Sequence, residues 1–285
     1  MEPKSVFLIS SEQTIGVTSA IAWLAARAGF EVRLKCEGEA TLSQVEKKLQ
    51  EATGIESSIT QTGGAETEDA LNRIKTTVNL SDAGQASIVV ESLFEDKDLK
   101  REVLAELDAI CHSDTIFLTN TSTIMITHLA SETSRADRII GMHFIYYSPV
   151  MKVVEIARSL ETSDNTFSMA MALAADLGLD TVMSEDVPGL LSSRIWMVHI
   201  NEAANNVFNK QVEAEALMKL NRTISPNTLS VLESADFIGL DNCVARLANL
   251  YLAYGDPKYI PSPLLTRMVD AGKLGVKSGE GFFHY

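Results

Sequence analysis

The side chains able to do chemistry in this chain are few and widely spaced. His143 stands in Gly141-Met142-His143-Phe144, Ser122 in Asn120-Thr121-Ser122-Thr123, and Glu155 after Val153-Val154. An imidazole titrates near neutrality and serves as acid or base, and a carboxylate on one of its nitrogens fixes the tautomer. Taken singly, each residue has a plainer reading. A histidine beside a phenylalanine at a strand end is a satisfied structural side chain, the serine caps a turn, and the glutamate is a strand carboxylate. Gly279-Glu280-Gly281 by itself is only a turn. Cys36, Cys111 and Cys243 lie far apart without CxxC or Cys/His spacing, so no metal site is expected. Such a sparse, odd set suits a reducing compartment.

The elements that must position these residues follow from hydrophobic pattern. Val6 to Ile9 is a short apolar run. Ile15 to Ala28 has helical periodicity ended by Gly29, and Glu31 to Lys35 forms a second strand. Strand, turn, helix and strand within about 30 residues is a βαβ unit and implies a parallel sheet. Helices are expected at Thr41–Thr53 and Glu66–Thr77 around a polar loop from Ser57 to Gly64. Further helices are expected at Lys97–Ile110 and Thr166–Leu177. Strands are expected at Ser87–Val90, Thr115–Leu118, Arg138–His143, Val153–Ala157 and Thr181–Met183. The alternation stops near Asp186, and from Leu190 onward the pattern is helical. The fold expected is therefore α/β, a Rossmann-like doubly wound sheet over 1–186 followed by an all-α domain over 187–285.

The chain of 285 residues, 46% apolar and 22% charged, is long enough for two such domains. With 24 basic against 38 acidic residues its net charge is −14, which disfavours nucleic acid and acidic membranes as partners. The apolar stretch near Met1 is too short for a signal peptide, and no run approaches the roughly 18 residues of a membrane span. A soluble, cytoplasmic protein is the expectation.

Between residues 120 and 155 the sequence resembles the 3-hydroxyacyl-CoA dehydrogenase family. Asn120-Thr121-Ser122-Thr123 matches its N-T-S-S/T segment, and Gly141-Met142-His143-Phe144 its G-x-H-F segment, followed by Pro149 to Glu155. Asp186-Val187-Pro188-Gly189 matches the D-x-P-G joining its two domains, and Gly275 to Phe283 its G-x-K-x-G-x-G-F-Y ending. The resemblance implies oxidation of an L-3-hydroxyacyl-CoA with NAD. His143 would be the base and Glu155 its orienting partner, one after each of two neighbouring strands. Ser122, with Ser193, would bind the substrate oxygen. It also implies a dinucleotide held near Ser11, Gln13, Gly16, Glu37 and Asn120. Val90-Glu91, Glu95 and Lys100 match family positions near the nicotinamide ribose and the CoA. A dimer built through the helical domain is implied as well.

Several positions depart from the family pattern. Where the family reads G-x-G-x-x-G for a tight turn, close pyrophosphate approach and helix packing, this chain has Ser11, Gln13 and Gly16. Ser11 is expected to cap the following helix, Gln13 to project a long side chain towards the pyrophosphate, and Glu12 to add charge beside it. Cys36 replaces the acid that accepts the ribose hydroxyl, with Glu37 next to it; Arg33 and Lys35 would instead suit a phosphate-bearing cofactor. Ser193 replaces the asparagine of P-G-F-x-x-N-R, Tyr146 the asparagine after H-F-F, and Ser230-Val231 a G-P pair. Three readings stay open on the sequence. One is an NAD-dependent 3-hydroxyacyl-CoA dehydrogenase. The second is a cofactor-free or catalytically impaired relative that binds acyl-CoA or serves as one subunit of a hetero-oligomer. The third is a redox-neutral proton-transfer enzyme.

Overall fold

The structure is a computed structural model that describes residues 5–38, 41–50, 65–145, 151–224 and 229–285. The polar loop at Ser57–Gly64, the end of the Thr41–Thr53 helix, and Tyr146 lie outside the described residues. Contacts divide the chain into a sheet unit running to Asp186 and a helical unit from Val187 to Tyr285.

In the sheet unit the strands are β1 (Ser5–Ser10), β2 (Glu31–Lys35), β3 (Ile74–Thr77), β4 (Ile88–Ser92), β5 (Ile116–Thr119), β6 (Ile139–Phe144), β7 (Val153–Arg158) and β8 (Asp180–Ser184). Among the described residues they form one sheet in the order β3-β2-β1-β4-β5-β6-β7-β8. β1 pairs in parallel with both β2 and β4. The chain thus reverses direction of growth at β1, and the carboxyl ends of β1 and β4 flank the crevice where such sheets take ligands. Phe7, Leu8 and Ile9 of β1 are all buried, as a central parallel strand covered on both faces requires.

The helices of this unit are α1 (Ile15–Arg27), α2 (41–50), α3 (Ala65–Asn72), α4 (Lys97–Ile110), α5 (Ile126–Ala130) and α6 (Asp164–Asp176). α1 buries Ala20, Ala22, Ala25 and Ala26, whose small side chains let it lie close to its neighbours, and it ends before Gly29 at φ +91°. One expectation needs correction. The helix expected over Glu66–Thr77 stops at Asn72, and Ile74–Thr77 is instead β3, an edge strand paired with β2. β7 runs antiparallel to β6 because only residues 145–152 join them, too few for a parallel crossover.

The helical unit contains α7 (Ser192–Phe208), α8 (Ala214–Ile224), α9 (Val231–Ile238), α10 (Leu240–Tyr254) and α11 (Pro263–Asp270). Met197, Ile200, Leu232, Leu247 and Leu265 are among its core residues. The last residues dock on Asp236 of α9, which accepts hydrogen bonds from the Phe282 and Phe283 amides and the Tyr285 hydroxyl. A Cβ at Gly281 would collide with that carboxylate, and one at Gly275 with the Asp236 backbone, which accounts physically for both glycines.

Burial pushes the Asp236 carboxyl up from 3.8 to about 6, against the pull of its hydrogen-bond donors. A raised carboxyl pKa favours the folded state below the unfolded value, and that contribution is lost as pH rises from 3.8 to about 6. Asp236→Asn removes the titration. Its stability deficit against the parent in urea unfolding is expected to narrow across that window; a deficit independent of pH would contradict the assignment.

Candidate active site

His143 and Glu155 are register partners across the β6–β7 pair. Directly opposed residues of an antiparallel pair project to the same face, so the register alone brings the two side chains together. Both lie within their strands, as the expected strands Arg138–His143 and Val153–Ala157 place them, and not after them as the resemblance implied. His143 Nδ1 stands 2.8 Å from Glu155 Oε2, and each residue is only 2% exposed. An ionised carboxylate can only accept, so Nδ1 is the donor of this pair. On the other side of the ring the Ser122 Oγ lies 3.1 Å from Nε2, within hydrogen-bond distance. Ser122, His143 and Glu155 therefore form one continuous relay ending in a buried hydroxyl.

The backbone that carries the relay is tightly specified. Gly141 lets α5 approach β6: a Cβ there would meet Ile126 side-chain carbons at 2.8 Å. Asp186, from the D-x-P-G segment, caps the start of α5 by accepting the Ile126 and Thr127 amides at 2.6 and 2.8 Å. The sequence reading treated Asp186 only as a junction residue. Asn120 brackets three strand ends. Its Nδ2 donates to Ser92 Oγ at 2.9 Å, and its Oδ1 accepts the Phe144 amide at 2.8 Å.

Glu91, Glu95 and Lys100 lie together, buried, at the carboxyl end of β4. Lys100 Nζ donates to Glu91 Oε1 at 2.7 Å and to the Leu93 carbonyl at 3.0 Å, and lies 3.6 Å from Glu95 Oε2. Glu91 also accepts from the Leu93 amide and the Thr119 hydroxyl. Glu95 Oε1 gathers donors from residues 121–123, the segment that carries Ser122. Thr119, Thr121 and Thr123 were not foreseen as participants, since no local pattern marks a bond made across 26 to 28 residues. Ser193 is buried in the first turn of α7 and belongs to the helical unit.

The turn after β1 forms without its first two glycines. Ser11 is extended at φ −97°, and no residue from Ser11 to Gly16 has a positive φ. Hydroxyls close the turn: the Ser11 amide donates to Thr14 Oγ1 at 3.0 Å, and Ser11 Oγ accepts the Phe94 amide at 2.9 Å. Ser11 therefore ties the β1 turn to the β4 turn and caps the single 3-10 turn Glu12–Thr14 that leads into α1, whose own N-cap is Thr14. Glu12 and Gln13 are exposed, and Gly16 lies in the first turn of α1. Cys36 is buried, which raises its pKa and keeps it a thiol; Glu37, exposed beside it, is the acidic group there. A dinucleotide fits this frame. The amino end of α1 opens at the sheet's reversal point and offers N–H groups to a diphosphate, and Glu37 offers an acceptor beyond β2. Among the described residues no cluster of three or more metal-ligating side chains is present.

A parallel sheet that reverses at β1, with a buried Ser–His–Glu set beside its crevice, is the frame of a dinucleotide-fold oxidoreductase. Comparison makes the class specific. Residues 14–187 match the family model of the 3-hydroxyacyl-CoA dehydrogenase NAD binding domain, and 189–285 that of the C-terminal domain. The chain is 38% identical over its full length to a probable 3-hydroxybutyryl-CoA dehydrogenase of Bacillus subtilis, covering 98% of that protein. Among solved structures it is similar to the (S)-3-hydroxybutyryl-CoA dehydrogenase of Ralstonia eutropha, at 34% identity and TM-score 0.81 over 100% of this chain and 99% of that one. It is also similar to FadB2 of Mycobacterium tuberculosis, at 29% identity and TM-score 0.86 over 98% of each chain. The protein belongs to the 3-hydroxyacyl-CoA dehydrogenase family and is an oxidoreductase of that type.

Proposed function

We propose that this protein interconverts L-3-hydroxyacyl-CoA and 3-oxoacyl-CoA with NAD, and that His143 is its acid–base catalyst. The observation that carries the reading is the relay itself: Ser122 Oγ 3.1 Å from one ring nitrogen of His143 and Glu155 2.8 Å from the other. In the oxidative direction His143 Nε2 takes the hydroxyl proton of the substrate, while Glu155 stabilises the imidazolium that forms. Ser122 donates to the substrate oxygen, on which negative charge grows as the proton departs. In reduction the protonated Nε2 returns that proton. When bound, the nicotinamide supplies the hydride acceptor or donor. Ser11, Gln13, Gly16 and Glu37 would hold its diphosphate and ribose end. The intact relay and the family match leave the cofactor-free reading without support.

The helical unit would serve dimerisation. Its exposed apolar side chains, Leu252 at 82%, Ile224 at 72% and Ile195 at 61%, supply area for association with a second subunit. No helix among the described residues is long and apolar enough to cross a membrane, and a cytoplasmic dimer is the form proposed.

The first test is direct. NADH fluorescence should saturate on titration with the protein, and acetoacetyl-CoA should then be reduced with consumption of NADH. Absence of a saturable signal at about millimolar NADH, a ceiling near 4 kcal/mol of binding, would refute the proposal.

A further inference from the structure

We infer that the peptide joining Asp186 to Val187 is the hinge by which the chain passes from the sheet unit to the helical unit, and that Asp186 and Tyr254 are the clamps that confine it. The inference goes beyond the dehydrogenase reading, and nothing in it depends on which substrate is turned over. Asp186 belongs to the sheet unit and Val187 to the helical unit. On the sheet side both Asp186 carboxylate oxygens are committed, Oδ1 accepting the Ile126 amide at 2.6 Å and Oδ2 the Thr127 amide at 2.8 Å. On the helical side the Tyr254 hydroxyl, at the end of α10, donates to the Pro188 carbonyl at 2.8 Å. The chain is thus gripped at Asp186 by one unit and at Pro188 by the other.

The residues past Val187 add no freedom. The Leu190 amide donates to the Val187 carbonyl at 2.9 Å, closing a turn with Pro188 and a positive-φ Gly189 in its central places, the type II pattern. Gly189, at φ +87°, has no room for a Cβ, which would meet Leu250 Cδ2 at 2.5 Å and Arg194 Cγ at 2.7 Å. Its carbonyl accepts the Arg194 amide at 3.2 Å. Leu190 is held at φ +47°, a region that leucine keeps only where its surroundings fix it, and it is 3% exposed. The proline ring fixes its own φ and holds Val187 ψ extended. What stays rotatable is Asp186 ψ and Val187 φ. Hinges are a few element-terminal positions that absorb the backbone change, and so few torsions confine the motion to one arc.

The test places nitroxide labels on the full chain at one exposed position of each unit, through Glu106→Cys and Asp270→Cys, and reads the width of the distance distribution by pulsed electron resonance. The native thiols Cys36, Cys111 and Cys243 are buried and stay unlabelled. Val187→Gly opens both signs of φ and should widen the distribution about twofold, whereas Val187→Pro locks φ and should narrow it. Tyr254→Phe releases the Pro188 carbonyl. It should widen the distribution and speed Leu190 and Arg194 amide exchange about 2- to 10-fold, the range that one hydrogen bond carries. Asp186→Asn should speed the Ile126 and Thr127 amides in the same way, again with a wider distribution. Faster exchange there at an unchanged width would reduce Asp186 to a helix cap and overturn the inference. Equal widths for Val187→Gly, Val187→Pro and the parent would overturn it too. So would a parent width no greater than that between two labels within the helical unit. Should Val187→Pro not fold, Val187→Gly and Tyr254→Phe still decide, because both must widen the distribution.

Discussion

His143→Gln is expected to lower kcat for acetoacetyl-CoA reduction by about 100- to 10,000-fold, the range over which a positioned general acid acts, while NADH binding is unchanged. The argument is geometric. Nε2 is the only end of the ring able to exchange a proton with substrate, because Nδ1 is committed to Glu155 at 2.8 Å. Glutamine preserves a side chain of similar reach and polarity but has no group that titrates near neutrality. Loss of an interaction made only in the transition state lowers kcat and kcat/KM together, and that pattern is the signature to look for. Steady-state kinetics with both NADH and acetoacetyl-CoA varied separates the two constants. Turnover within about threefold of the parent would remove His143 from the chemistry, since a catalytic acid is worth far more than that. Glu155→Gln should cause a loss of comparable size, because it favours the wrong tautomer and removes the charge that stabilises the imidazolium.

Much of this fold is legible in the sequence because its signals are local. Glu31–Lys35 and Lys97–Ile110 fall where periodicity places them, and α4 begins at Asp96, whose side chain accepts the Asp98 and Leu99 amides. β3 is not legible. Ile74-Lys75-Thr76-Thr77 continues a charged helical pattern and becomes a strand only because the edge of β2 is available for pairing. The relay is legible as a set of residue types through resemblance, but its geometry is not. The opposition of His143 and Glu155 depends on the β6–β7 register, which no spacing in the sequence fixes. The turn after β1 shows the reverse case. Missing glycines look like a defect only while the turn is assumed to need their backbone freedom, and the Ser11 and Thr14 hydroxyls build it with ordinary φ values. The family positions Glu91, Glu95 and Lys100, expected near the cofactor, are joined to one another and to the Ser122 loop by contacts that no local spacing marks.

That buried cluster supports the second large expectation: Lys100→Met should destabilise the protein by about 3–5 kcal/mol, the usual result of removing one partner of a buried ion pair. Lys100 and Glu91 are both fully buried and Glu95 nearly so, and the one ammonium balances two carboxylates. Methionine fills similar volume, so the loss is electrostatic and not a cavity. In a domain of this size each kcal/mol lowers the melting temperature by about 2–4 °C, so a fall of roughly 6–20 °C is expected by calorimetry. The sign of the cause can be isolated. Neutralising Glu91 as well, in Lys100→Met/Glu91→Gln, removes one stranded charge and leaves Glu95 with its donors from residues 121–123. The double variant should therefore recover part of the loss, as replacing a whole buried pair by neutral groups often does. A Lys100→Met protein within about 1 kcal/mol of the parent would mean that water or relaxation already screens the site. A double variant less stable than the single one would show that Glu91 holds the Thr119 hydroxyl and Leu93 amide for its own sake, independent of the lysine between the two carboxylates.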